Sequence, residues 1–78
     1  MSFIVYSKPD CPYCTKAKKF LELTEQRHVV YNLERDFTKS EFYEKFGEGS
    51  TFPQITKDSE NIGGCSDLIK YLREQKIL

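Results

Sequence analysis

The strongest constraint on the fold of this chain lies in residues 8–19, which have the sequence KPDCPYCTKAKK. The short apolar run at residues 3–6 is rich in strand formers and predicts a strand buried on both faces. Because proline suits the first helical turn, we predict a helix that begins near Cys11 or Pro12. Its inner face carries, at helical spacing, Cys14, Ala17, Leu21 and Thr24, with Phe20 beside them. A second apolar run at residues 29–33 completes a strand–helix–strand unit, whose two strands should be parallel.

A second helix is predicted in the middle of the chain. Thr38 and Glu41 have the spacing of a capping box, which marks a helix start. Phe42 and Phe46 follow one turn apart and form the apolar side of this helix. Residues 47–50, which contain two glycines, should end it.

The last third of the chain predicts a hairpin and a third helix. Strands at residues 52–56 and 60–62 flank a turn at 57–59 and should pair in antiparallel fashion. Ser66 and Asp67 are expected to cap the last helix, whose inner face carries Leu68, Ile69 and Leu72. The order βαβαββα predicts an α/β domain over residues 1–78, with a four-stranded mixed sheet flanked by three helices.

Composition excludes several classes of function. The 78 residues include 12 lysines and arginines and 12 aspartates and glutamates, so the formal net charge is zero. Without a global positive field, neither nucleic acid nor a membrane surface is an expected partner. The apolar start is too short for a signal peptide or a membrane span, and three cysteines do not make a disulfide framework. We therefore expect a cytoplasmic protein.

The cysteine pair has three interpretations. A structural disulfide between Cys11 and Cys14 closes so small a loop that it would add little stability. A zinc site normally needs four ligands, and the further candidates are Cys65 and His28. The sequence does not indicate that these residues come together with the cysteine pair in one site. No metal is therefore expected, and the third interpretation is a redox couple.

The redox interpretation has a positive mechanism. Cys11 opens a helix, where unpaired backbone N–H groups stabilise an anion, and Lys8 can add positive charge through space. Cys11 is thus expected to be the nucleophilic thiolate, although the neighbouring Asp10 opposes this through like charge. Cys14 lies one turn further along the buried face, so it is expected to stay protonated until it attacks Cys11 in a mixed disulfide.

Three separated segments resemble the glutaredoxin family, which has a thioredoxin-like fold. They are Cys11-Pro12-Tyr13-Cys14, Thr51-Phe52-Pro53 and Gly63-Gly64-Cys65-Ser66-Asp67, and together they span nearly the whole chain. The resemblance implies a glutathione-dependent thiol–disulfide oxidoreductase. In such an enzyme Cys11 attacks, Cys14 resolves the mixed disulfide, and glutathione reduces the Cys11–Cys14 disulfide that results.

The resemblance also implies a glutathione site. In the family a cis peptide bond precedes the proline that matches Pro53, and the backbone of Phe52 would pair with the cysteine of glutathione. The family usually has a smaller aliphatic residue in place of Phe52. Lys8 would meet the glycine carboxylate with Tyr13 beside it, while the start of the last helix would receive the γ-glutamyl group. The implied glutathione-binding residues are Lys8, Tyr13, Thr51, Phe52, Pro53, Ser66 and Asp67.

Each of these residues also has an ordinary structural interpretation. Ser66 and Asp67 could simply cap a helix, Lys8 could be a solvated surface residue, and Phe52 could enter an edge strand through a trans bond. Their joint occurrence beside the cysteine pair favours function. Cys65 is expected to be a small, partly buried residue near a helix start, with an oxidation-sensitive thiol as the alternative.

The resemblance implies partners and roles as well. The substrates would be disulfide-bearing or glutathionylated proteins, with ribonucleotide reductase as a family-typical candidate, and the protein would act as a monomer in electron transport and cell redox homeostasis. One alternative is a redoxin that thioredoxin reductase reduces, which would need no glutathione pocket. Another is a dimeric iron–sulfur carrier with Cys11 and external glutathione as ligands, which Pro12 and Cys14 disfavour.

Overall fold

The structure is a computed structural model that describes residues 2–78. Seven elements follow one another in the predicted order βαβαββα, so the predicted fold class is confirmed. They are β1 Phe3–Ser7, α1 Pro12–Leu23, β2 His28–Asn32, α2 Lys39–Phe46, β3 Gln54–Lys57, β4 Glu60–Gly63 and α3 Cys65–Glu74. None of the helices in this described part of the chain is long and apolar enough to cross a membrane.

The four strands form one mixed sheet in the order β2-β1-β3-β4. β1 runs parallel to β2, with Val5 opposite Val30, and antiparallel to β3, with Val5 opposite Ile55. β3 and β4 form the predicted antiparallel hairpin. β1 is therefore a central strand, and the loop that leaves its C-terminal end carries the cysteine pair.

The hydrophobic core lies between the sheet and the helices α1 and α3. Alternate residues of β1 point into it, and Phe3 and Val5 are fully buried there. The helices and β3 complete this core with Ala17, Leu21, Ile55, Cys65, Leu68 and Leu72. The predicted inner faces are largely confirmed, although Thr24 and Ile69 are only partly buried. Phe20, predicted beside the inner face of α1, packs against the edge of the core.

The opposite face of the sheet is covered by five side chains that we call the aromatic cluster: Tyr6, Phe37, Phe42, Phe46 and Phe52. Phe42, which is fully buried, stacks on Phe52 with ring centroids 4.1 Å apart and planes 9° apart. The ring of Tyr6 meets that of Phe46 edge to face at 5.0 Å. This cover is incomplete, and Ile4 and Tyr6 stay half-buried. The prediction that β1 is buried on both faces is therefore wrong.

The start of α2 agrees with its predicted capping box. The Thr38 N–H donates to the Glu41 carboxylate at 2.9 Å, and the Glu41 N–H donates to the Thr38 hydroxyl at 3.2 Å. Gly47, with a φ of 101°, follows the last residue of the helix. A left-handed φ of this kind favours glycine, so the helix ends where the sequence predicts.

Two predicted element starts are wrong by two residues, and β2 begins and ends one residue earlier than predicted. The N-cap of α3 is Gly64, and Ser66 and Asp67 lie inside the first turn. Asp67 still satisfies the helix start, because its carboxylate accepts the Gly64 N–H at 3.1 Å. β3 begins at Gln54, two residues later than predicted, since proline lacks the N–H that a ladder needs.

Candidate active site

Cys11 stands at the N-terminus of α1, where the sequence predicts the nucleophile. Pro12 is the first helical residue, and Cys11 is the N-cap with extended backbone. Its Sγ accepts the backbone N–H of Cys14 at 3.3 Å, as an N-cap oxygen would. The residue is 9 % exposed, and the neighbouring Asp10 is an exposed residue. A sulfur in this position meets a helix N-terminus that stabilises negative charge.

Cys14 lies on the buried side of α1 and is only 1 % exposed. Burial raises the pKa of the Cys14 thiol above its ordinary value, and the hydrogen-bonded contact with Cys11 raises it further. Hydrogen bonds from the Ser7 side chain and the Lys8 backbone oppose this rise. Cys14 is thus a protonated thiol at neutral pH, in close contact with Cys11, as the sequence predicts.

The segment before β3 brings a second chain section to Cys11. The Phe52–Pro53 peptide bond is cis, in agreement with the expectation from the family resemblance. The carbonyl oxygen of Phe52 lies 3.9 Å from Cys11 Sγ. Pro53 is buried, whereas Thr51 is exposed and its carbonyl accepts the side-chain amide of Gln54 at 3.0 Å. The backbone of Phe52 therefore borders the sulfur of Cys11.

A groove of about 330 Å³ collects most of the residues implied as glutathione ligands. Its lining residues are Tyr13, Thr51, Phe52, Pro53, Gln54, Gly63, Gly64, Cys65, Ser66 and Asp67. Lys8 lies outside this lining, but its Nζ stands over the Phe52 ring at 5.4 Å from the ring centroid. Lys8 and Cys11 line a separate groove of about 600 Å³. The structure thus gathers the three motif segments, with Phe52 in contact with Lys8, Cys11 and the first groove.

The start of α3 closes one side of the first groove. The first intrahelical bond of α3 runs from the Leu68 N–H to the Gly64 carbonyl, so the N–H groups of Ser66 and Asp67 precede the helical ladder. Both residues are exposed. Gly63 has a φ of 116°, which favours glycine at this position. The geometry offers two backbone donors and one carboxylate to a ligand.

Four lining residues of the groove are not among the ligands that the sequence implies: Gln54, Gly63, Gly64 and Cys65. Gln54 directly follows the proline of the second motif segment, and this adjacency is the signal that could have found it. Cys65 is buried, more deeply than the partly buried position that the sequence predicts, and its place in the groove wall follows only from the packing of α3. Burial is the main cause of a raised pKa at Cys65, the charge of Lys16 opposes the rise, and the nearby Cys11 side chain adds to it.

Cys65 and His28, the further candidates for a zinc site, have other surroundings in the structure. Within residues 2–78, no group of three or more histidine, cysteine, aspartate or glutamate side chains is arranged to hold a metal ion. His28 begins β2, and its Nδ1 lies 2.8 Å from the carbonyl oxygen of Gln26. His28 is therefore a strand-end histidine whose ring contacts the backbone.

Fold and site together define a class, the thiol–disulfide redox proteins of thioredoxin-like fold, and known proteins identify the family. The profile of the glutaredoxin family matches residues 3–62. Glutaredoxin 1 of Rickettsia prowazekii (strain Madrid E) is 37% identical over 82 residues, which cover 97% of this chain and 82% of that protein. The chain belongs to the glutaredoxin family and is a thiol–disulfide oxidoreductase.

Solved structures share the fold. The reduced glutaredoxin of Escherichia coli superposes with a TM-score of 0.83 at 25% identity, and the match covers 100% of both chains. The buckwheat glutaredoxin–glutathione complex superposes with a TM-score of 0.79 at 24% identity, over 96% of this chain and 71% of that chain. The glutaredoxin fold therefore extends over the whole described chain.

Proposed function

We propose that this glutaredoxin uses Cys11 as the attacking thiolate, Cys14 as the resolving thiol and glutathione as the reductant. One observation carries the proposal, the position of Cys11 Sγ. It accepts the Cys14 N–H at 3.3 Å, and it lies 3.9 Å from the carbonyl of Phe52, which lines the groove. A helix N-terminus stabilises this sulfur as an anion, and the thiolate is the form that attacks a disulfide.

In the first step the Cys11 thiolate attacks one sulfur of the substrate disulfide. A bond forms between this sulfur and Cys11, the original S–S bond breaks, and the other sulfur leaves as a thiolate that takes a proton from solvent. When the substrate is a glutathionylated protein, the glutathionyl group remains on Cys11. The thiolate of a second glutathione then attacks it, which yields oxidised glutathione and restores Cys11.

Protein disulfides need the second thiol. After the first exchange the substrate is bound to Cys11 through a mixed disulfide. Cys14 loses its proton and attacks Cys11 Sγ, which forms the Cys11–Cys14 disulfide and releases the reduced substrate. Two molecules of glutathione then reduce this pair through a glutathionyl intermediate on Cys11.

Glutathione is a short peptide with two carboxylates and one ammonium group, and the proposal gives each of them a partner. The backbone of Phe52 pairs with the cysteine of glutathione as a short added strand. The N–H groups of Ser66 and Asp67 receive the γ-glutamyl carboxylate, and the Asp67 side chain receives the ammonium group. The glycine carboxylate meets Lys8, with Tyr13 beside it. Tyr13 is 64% exposed, which suits a side chain that covers a ligand.

Two further observations support glutathione as the ligand. The groove is lined by all the proposed contacts except Lys8, whose ammonium lies over one of the lining side chains, Phe52. The buckwheat protein of the same fold has been solved in complex with glutathione. Thr51 and Pro53 form the groove wall in this proposal and hold the Phe52 backbone in place.

The proposal extends to partners and location. The substrates are disulfide-bearing or glutathionylated proteins, and ribonucleotide reductase is a family-typical candidate among them. We propose a monomer that works in the cytoplasm, in electron transport and cell redox homeostasis. The balanced charge of the chain, with 12 basic and 12 acidic residues, agrees with a protein that binds neither nucleic acid nor anionic lipid.

The proposed roles are tested with Cys11→Ser and Cys14→Ser. The assay supplies glutathione, glutathione reductase and NADPH, with a mixed disulfide of glutathione and a small thiol as substrate. We expect Cys11→Ser to lose essentially all activity, because no thiolate remains at the helix start. Cys14→Ser should keep this activity and lose the reduction of a protein disulfide. The reverse pattern would show that the two roles are exchanged.

A second arm of the experiment tests the electron source. Thioredoxin reductase and NADPH replace glutathione and its reductase, and the oxidised parent protein is the substrate. We expect reduction to be far slower than with glutathione, because the groove is the feature that recognises the reductant. Equal or faster reduction in this arm would instead support a redoxin that thioredoxin reductase serves.

A further inference from the structure

We propose that the ring of Phe52 holds the ammonium group of Lys8 beside the reactive cysteine. Phe52 is then a positioning residue for the cation that binds the glycine carboxylate of glutathione. This inference rests on the proposed function, because it explains how the same site recognises that carboxylate. It goes beyond the backbone role of Phe52, which any side chain would permit.

The Phe52 ring has a fixed orientation. It stacks on Phe42 with centroids 4.1 Å apart and planes only 9° apart, and it lies nearly parallel to Phe37 at 6.2 Å. Phe42 is itself fully buried at the centre of the aromatic cluster. Because close-packed aromatic rings cannot turn without loss of contact, the plane of the Phe52 ring is set by the fold.

Lys8 uses the ring face that the stack leaves open. Its Nζ lies over the Phe52 ring at 5.4 Å from the centroid, within the range of a cation–π contact. Phe42 fills one face at 4.1 Å, so the ammonium group must occupy the other. The ion pair within residues 2–78 joins Arg35 to Asp36. Lys8 therefore forms no ion pair with a described carboxylate, and none competes with the Phe52 ring for its ammonium group. The ring is the feature that orders this exposed side chain.

The position over the Phe52 ring brings Lys8 close to Cys11. The carbonyl of Phe52 lies 3.9 Å from Cys11 Sγ, and Lys8 and Cys11 line the same groove. A lysine that is ordered before the ligand arrives loses less rotamer freedom on binding. The weak contact with a ring face also leaves the ammonium free to pair with a carboxylate. An aliphatic side chain at position 52 would fill the space but would offer no negative ring face.

A double-mutant cycle tests the coupling, with Phe52→Leu, Lys8→Met and the double variant. The readout is KM and kcat for a mixed disulfide of glutathione and a small thiol. We expect Phe52→Leu to raise KM about fivefold, a size typical of a partly exposed cation–π contact, and to lower kcat much less. In the Lys8→Met background the same change should leave KM nearly unaltered. Equal effects in both backgrounds would overturn the inference.

Two matched variants separate the effect of the ring face from effects of side-chain size and of net charge. Phe52→Tyr keeps the ring face, so its KM should stay near that of the parent. Lys39→Met removes the same charge at an exposed position at the start of α2 and should leave KM unchanged. A loss with Phe52→Tyr as large as with Phe52→Leu would overturn the inference, as would a rise of KM in Lys39→Met that equals that of Lys8→Met. If Phe52→Leu does not fold, Phe52→Met provides the ringless variant.

A spectroscopic readout is independent of activity. In the parent protein, the ring current of Phe52 should shift the ε-methylene protons of Lys8 upfield in a proton–carbon NMR spectrum. The shift should persist in Phe52→Tyr and vanish in Phe52→Leu. If the parent protein is active but lacks this shift, the inference about Phe52 and Lys8 is wrong, while the proposed function is not contradicted. A parent with no activity on glutathione mixed disulfides overturns the proposed function.

Discussion

At the scale of single residues, the chemistry depends on two thiols in different surroundings. Cys11 Sγ receives a backbone N–H at the start of α1, whereas Cys14 is 1 % exposed on its buried side. A helix N-terminus is in general a favourable place for an anion, whereas burial disfavours charge and raises the pKa of Cys14. The attacking role that we propose for Cys11 and the resolving role that we propose for Cys14 rest on these two positions on one helix.

The raised pKa of Cys14 predicts how the resolving step depends on pH. Because the pKa of Cys14 in the folded protein lies above that of an ordinary cysteine, Cys14 is protonated near pH 7, and its fraction of reactive thiolate grows as the pH rises toward that pKa. Once Cys11 is in a mixed disulfide, burial remains the main cause of the shift. Release of glutathione from Cys11-glutathionylated protein should thus accelerate steadily between pH 7 and about 9. Stopped-flow measurement of the released thiol checks this, and Cys14→Ser should release none. A rate that stays flat over this interval would contradict the assignment.

At the scale of elements, the site forms where the ends of several strands and helices converge. The C-terminal end of β1 leads to Cys11, the segment before β3 brings Phe52, and the start of α3 brings Asp67. Gly63 is the junction between β4 and α3, with a φ of 116°. A Cβ at this position would lie 2.5 Å from Oδ2 of Asp67 and 2.9 Å from its Cγ. The start of α3 therefore depends on a glycine here.

Gly63→Ala and Gly64→Ala make a matched pair that tests this junction. Gly63→Ala places a side chain in the left-handed region and pushes Asp67 away, so it should cost about 1–3 kcal/mol of unfolding free energy. Gly64→Ala keeps an ordinary backbone conformation, and its Cβ would lie 3.7 Å from the Pro53 carbonyl. It should cost less than about 1 kcal/mol. Urea unfolding measures both values, and equal losses would contradict this role of Gly63.

At the scale of the whole molecule, local signals in the sequence predict most of the fold. Three local signals predict the bounds of their elements to within a residue or two. They are the capping box of Thr38 and Glu41, the proline at position 12 and the turn predicted at residues 57–59. The parallel crossover makes β1 and β2 neighbours and the hairpin makes β3 and β4 neighbours, whereas the antiparallel pairing of β1 with β3 that joins them is a long-range contact. The three motif segments are separate in sequence, and the sheet brings them together. Their convergence was expected from the family resemblance and could not be read from any one segment.

What the sequence could not predict depends on contacts between distant residues. The stack of Phe42 on Phe52 joins α2 to the segment before β3, and no local pattern encodes it. The same is true of Lys8 over the Phe52 ring. The predicted cap of α3 is wrong for a local reason, since Asp67 satisfies the helix start from inside the first turn while Gly64 is the N-cap. Long-range packing thus sets the details of the site within a fold that local signals define.

The central claim is that the fold makes Cys11 the most reactive thiol of the chain. The most direct test is the rate at which iodoacetamide alkylates each cysteine of the reduced protein at pH 7, followed by mass spectrometry of the peptides. Because the thiolate is the reactive form, Cys11 should react at least about tenfold faster than Cys14 and Cys65. The three rates should converge when urea unfolds the chain. A Cys11 that reacts in the folded protein no faster than it does in the unfolded chain would contradict the claim.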